Sequence, residues 1–273
     1  PTLLTAALCA EREVWREELR AARAFKEQRV AEYKDALTAQ KRAHGLAASR
    51  YARAYQRLER LYPNERFEGG ACPELDEHQE LLSVMGMIAG VQAVQHDRAS
   101  GVMVGVPTNT PVKVIARAKC FDEGANERWW GVPRALEAAI WLVVPGTGPG
   151  EGSEQVKANA YKALEASVKL GREAGVRLTD SVFAYAAEAV GDVPKVKALI
   201  SAFAQARQST PSAPRWALLD ETSALQLLAL SDRLWTKEKG HRTPAGRFGE
   251  FWEEQEPEQA ADAEGEDDLL DAL

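Results

Sequence analysis

Cysteine and histidine are scarce in this sequence and widely spaced. Among 273 residues there are three cysteines, Cys9, Cys72 and Cys120, and four histidines, His44, His78, His96 and His241. No C-x-x-C, H-x-x-x-H or H-E-x-x-H spacing occurs, so neither a zinc site nor a disulfide framework is signalled and no cofactor is implied. An odd number of unpaired thiols suits a reducing compartment. Long apolar runs are also missing. The best candidate, residues 138–144, falls far short of the ~20 residues that span a bilayer. Residues 1–10 have no basic start and run directly into Glu11-Arg12-Glu13, which is not the pattern of a signal peptide. These absences together predict a cytoplasmic protein without a membrane partner. Catalytic motifs are lacking as well. The Gly-rich residues 146–152 are not followed by the Lys-Ser/Thr of a phosphate loop, and Pro149 removes one amide donor. No nucleophile elbow is present. An enzyme therefore ranks last among the readings, and the catalytic set is empty.

What is present is enough apolar material for a core, 45% of residues. The net charge of −7 hides an uneven distribution. Residues 250–273 hold eleven acids and no Lys or Arg. Without that stretch 34 basic residues face 30 acidic ones, a body of +4 with an acidic tail.

Local patterns predict an α+β protein that is mainly α-helical. Its expected parts are long N-terminal helices (1–97), a small central antiparallel sheet (98–145), a C-terminal helical bundle (153–240) and a disordered acidic tail (250–273). Residues 11–62 are rich in Ala, Glu, Arg, Lys and Gln, with Gly45 as the one possible break. Tyr51, Tyr55, Leu58 and Tyr62 recur at spacings of 4, 3 and 4 and share a helical face. A helix from about residue 74 to 95 carries Gly86 and Gly90, four apart, which permit another element to approach closely. Val-rich residues 101–106 and 112–121 read as strands joined by a loop, with a third strand starting at Arg128-Trp129-Trp130. Residues 145–152 and 209–214 read as linkers, and helices fill most of 153–239 between glycine stops.

Two cationic features stand out. Arg50, Arg53, Arg57 and Arg60 are spaced 3, 4 and 3, and Arg42 joins them if the helix passes through Gly45. From Tyr33 to Tyr62 seven basic residues face only Asp35 and Glu59, too few acids to neutralise them along the helix. On a strand, Lys113, Arg117 and Lys119 would share one face, followed by Arg128, Trp129 and Trp130. Together these side chains suit phosphate contacts and base stacking, as in a nucleic-acid-binding protein that handles single strands in recombination, repair or replication. Each element also has a plainer account, as a solvated helix face or a half-buried sheet with core tryptophans. The tail ends in Asp267, Asp268, Leu269, Leu270, Asp271, Ala272 and Leu273, a combination suited to docking on a basic, apolar protein partner or on the chain's own cationic surface. The alternative is a structural component of a phage or bacterial assembly. There the homo-oligomer would form through the N-terminal amphipathic helices at Trp15, Leu19, Phe25, Tyr51, Tyr55 and Leu58.

Overall fold

The computed structural model describes residues 2–61 and 72–252, apart from the side chains of Arg60 and Leu61. Among the described residues the chain forms α1 (Thr2–Lys26), α2 (Val30–Leu61), α3 (Glu77–Ser100), α4 (Thr110–Ala118), α5 (Glu123–Arg128), α6 (Val132–Val143), α7 (Ser153–Glu173), α8 (Leu178–Ala189), α9 (Val193–Ser209), a 3-10 turn at Pro214–Trp216 and α10 (Ala217–Lys239). They include no strand. The α+β expectation is therefore corrected: the protein is helical, and residues 98–145 hold no sheet.

The physical reason lies in the period. On a strand, Ile115 would have shared the wet face with Lys113, Arg117 and Lys119. On a helix opened by Thr110-Pro111, Val114, Ile115 and Ala118 fall together and all are buried. Packing overrides the β-propensity of valine. Residues 101–106 are not a strand either, because Gly101, Val102 and Gly105 all have positive φ. Arg128 closes α5, and Trp129-Trp130-Gly131 is the turn into α6 rather than a third strand. Residues 138–143 belong to α6, and Val144, with extended backbone, caps it.

α1 and α2 form an antiparallel hairpin. The break falls at residues 27–29, not at Gly45, which lies within α2. Gln28 takes a positive φ of 56°, and the Arg29 amide donates to the Ala24 carbonyl. Phe25 and Tyr33 meet across this turn, ring centroids 5.5 Å apart. α3 packs on α2 where the glycine spacing foretold: a Cβ on Gly86 would sit 1.7 Å from Leu58 Cδ2, and one on Gly90 would sit 2.9 Å from Tyr55 Cδ2. α3 begins at a capping box in which Asp76 accepts from the Gln79 amide and Gln79 accepts from the Asp76 amide.

α6 links the two core clusters, with Trp141 beside both. One contains α2, α3, α4 and the Trp129-Trp130 turn; the other contains α7, α8, α9 and α10. α10 then returns to α1, where Lys26 Nζ donates to the Glu238 carbonyl at 2.7 Å. Between α7 and α10 a buried ion pair ties the loops together. Arg177 and Asp220 are both fully buried and bonded at 2.7 Å; Ser212 and the Arg177 amide also donate to Asp220.

The cysteine expectation is also corrected. Cys72 and Cys120 form a disulfide, with Cα atoms 5.3 Å apart. A pairing 48 residues apart leaves no local signature. Cys9 is free and exposed. The bond removes the argument from unpaired thiols to a reducing compartment. No helix among the described residues is long and apolar enough to cross a membrane.

Candidate ligand cavity

Where α10 returns to α1 the helices leave a cleft that is half open at the surface. A cavity of about 400 Å³ lies between α1, α2, α3, α6, α8 and α10. Four of its residues, Glu11, Val14, Trp15 and Glu18, come from one stripe of α1 at spacings of 3, 1 and 3. Val91 and Val94 of α3 and Ile140, Val143 and Val144 at the end of α6 make up much of the apolar wall.

Two polar groupings open into this cavity. In the first, Tyr51 donates to Glu11 Oε2 at 3.0 Å, Glu11 Oε1 lies 3.8 Å from His96 Nε2, and His96 Nδ1 meets His44 Nδ1 at 2.9 Å. The Tyr51 and His96 rings stack, 5.6 Å apart and 12° from parallel. Burial, reinforced by His96 and Arg233, pushes the His44 imidazole down to about 4. His44 is therefore neutral near pH 7, and one of the two facing Nδ1 atoms carries the shared proton. Burial and then Glu11 raise the Tyr51 hydroxyl far above the ordinary tyrosine range, so it stays protonated as a donor.

In the second grouping Arg233 bridges Glu18 at 3.0 Å and Glu188 at 2.8 Å, joining α10 to α1 and α8. Burial alone would lower the guanidinium, but the two carboxylates outweigh it and raise it. Glu188 is itself raised, by burial, against the pull of Arg233. Tyr185 stands between the groupings, raised well above the ordinary value by burial and then by Glu11. The arrangement holds proton donors and acceptors against a mainly apolar wall. No group of three or more His, Cys, Asp or Glu side chains among the described residues is placed to hold a metal ion.

Sequence reasoning missed this site because His44 and His96 are 52 residues apart and adjacent only in space. One signal was legible: Glu11, 2% exposed, interrupts the buried stripe of Ala7, Ala10 and Val14.

The sequence-predicted cationic residues are placed as follows. Arg42, Arg53 and Arg57 are exposed on α2 and make no ion pair among the described residues. Arg50 is half-buried and donates to the Ala6 carbonyl. The Arg60 side chain lies outside the described residues. Lys113 pairs with Glu59 at 3.2 Å, bringing α4 against the end of α2. Arg117 is buried, and Lys119 is exposed just past the end of α4, so the expected row of three cations does not form. Arg128 pairs with Glu80 at 2.8 Å. Trp129 and Trp130 are buried beside Trp216, and the Trp129 indole donates to Glu80 at 2.7 Å, so neither presents a stacking face. Leu19, Tyr51, Tyr55 and Leu58 lie in the chain's own core, and Trp15 lines the cavity; of the expected oligomer contacts, Phe25 is the exposed one. Asp267, Asp268, Leu269, Leu270 and Leu273 lie outside the described residues. Comparison of the chain with family models, with curated proteins and with solved structures finds no match.

Proposed function

We propose that this is a small-molecule-binding protein whose interhelical cavity takes a ligand with an apolar body and a hydrogen-bonding head. The observation that carries the reading is the cavity of about 400 Å³ into which Glu11, His44, His96, Glu188 and Arg233 all converge. Cavities that bind small molecules are commonly of this size, mostly apolar, with a few placed polar groups. Shifted titratable groups in such a cleft point the same way. The ligand's body would lie on Val14, Trp15, Val91 and Ile140, and its head would meet the neutral His44 and the carboxylates.

A neutral apolar fluorophore, N-phenyl-1-naphthylamine, tests this. Saturable enhancement is expected, lost in Val91→Trp, which fills the space, with helicity and melting cooperativity kept. Absence of saturable binding, or equal binding by a folded Val91→Trp, overturns the reading.

A second reading, nucleic-acid binding, is supported by the three exposed arginines of α2 that lack ion pairs among the described residues. Three phosphate contacts on a single strand would give a log–log salt slope of about −2.1, or roughly 20-fold weaker binding between 50 and 200 mM salt. Fluorescence anisotropy of a labelled single strand measures it. Binding that survives Arg53→Glu with Arg57→Glu, or that ignores salt, removes this reading.

A further inference from the structure

The loop between α3 and α4 displays apolar side chains where a soluble surface normally hides them. Val102 is 64% exposed, Met103 62% and Val104 39%. This is a constrained loop. Asp97, itself 3% exposed, accepts from the amides of Val104 and Val106, both at 2.8 Å. Ser100 Oγ accepts from the Met103 amide at 3.1 Å. Val102, a β-branched residue, is kept at a φ of +64°, a conformation that persists only where its surroundings enforce it.

The loop rests on α2 at Gly45, where a Cβ would lie 3.3 Å from Met103 Sδ. The next residue, Leu46, is 48% exposed, about 100° further around α2. At 100° per residue Arg42 and Arg53 stand about 40° and 20° from Leu46 around α2, so an arginine flanks the leucine on either side along the helix. Apolar side chains framed by cations that have no ion pair among the described residues call for a segment of acids and leucines.

The chain contains such a segment at its end. We propose that residues 267–273 of the same chain dock on this surface. Leu269, Leu270 and Leu273 would cover Leu46, Val102 and Met103, with Asp267 at the edge towards Arg42 and Arg53. On a helical turn the three leucines fall within about 100° of arc and Asp267 lies about 60° beyond Leu270, while Asp268 and Asp271 fall on the far side.

The tether is long enough. Trp252 packs on Trp235 of α10, 5.6 Å between centroids, near where α10 meets the end of α1. From there to the level of Leu46 is about 16 residues of helix, or about 24 Å. The seventeen residues from Trp252 to Leu269 reach up to about 58 Å.

The test uses the three methionines, Met85, Met87 and Met103, as carbon-13 methyl reporters in the full chain. A nitroxide is attached at Ala272→Cys in a Cys9→Ser background, without reductant. Met103 should lose most of its signal while Met87, buried in α3 about 20 Å from the loop end of that helix, loses far less. The loss should be unchanged on dilution and should be abolished by Leu269→Ser with Leu270→Ser, and by Arg42→Glu with Arg53→Glu. An unaffected Met103, or broadening that survives the leucine changes, overturns the proposal. Broadening that fades on dilution overturns it in favour of a second copy's tail.

Discussion

Acidification should loosen this protein through one imidazole. His44 titrates at about 4 in the fold, against 6.5 for the free side chain. Between those values the unfolded chain takes up a proton that the folded chain refuses, so His44's contribution is complete above pH 6.5 and is lost as pH falls towards 4. From pH 7 to 4.5 the linkage relation gives about 2.4 kcal/mol, which solvent screening of this partly exposed ring reduces to about 1.5 kcal/mol. Other groups titrate in the same window with opposite sign. Burial pushes the Asp180 carboxyl up to about 6, so its folded form binds a proton more readily and gains relative stability on acidification. A difference measurement therefore isolates His44. In His44→Gln the neighbours His96, Glu11 and Arg233 remain, the polar contact to His96 is kept, and the titrating ring is gone. Urea unfolding followed by circular dichroism at pH 7 and 4.5 should show wild type losing about 1.5 kcal/mol more than the variant. Parallel losses would refute the claim that this ring is held neutral by burial beside His96 and Arg233.

Three further outcomes follow from the packing. Asp220→Ala strands the fully buried Arg177 guanidinium and should cost about 3–5 kcal/mol in urea unfolding, whereas Arg177→Met with Asp220→Leu should recover most of it. Gly131→Ala should cost at least about 2 kcal/mol, because φ is +76° there and the new Cβ would meet Ser167 Cα at 2.8 Å; an unchanged melting temperature would contradict the α6–α7 contact. Cys72→Ser with Cys120→Ser opens a loop whose closure is worth about 4 kcal/mol by chain entropy, so the oxidised protein should melt well above the double variant.

Much of the helical outline was legible. The glycine pair at 86 and 90 marked where α2 presses on α3, and the Gly240 stop is observed with φ of 87°; Ser153 opens α7 without serving as its side-chain cap. The apolar spacing of Tyr51, Tyr55 and Leu58 correctly located a buried face. The misreadings cluster in residues 98–145, where propensity and period disagreed. Valines argued for strand, while the positions of Val114, Ile115 and Ala118 argued for helix, and burial decided. The cationic residues divide for a similar reason: Arg42, Arg53 and Arg57 lie on a face the sequence identified, but Trp129, Trp130 and Arg117 were drawn inward by neighbours from α3 and the turn at Trp216.

By itself the sequence determined what depends on near neighbours along the chain: amphipathic stripes, glycine stops and the charge contrast between body and tail. Only the tertiary structure decided which distant groups meet. Neither the Cys72–Cys120 bond, the His44–His96 contact nor the Glu18–Arg233–Glu188 bridge has a spacing rule behind it. Each depends on how α1, α3, α4, α8 and α10 converge, and that is set by the summed burial of the whole core rather than by any local pattern.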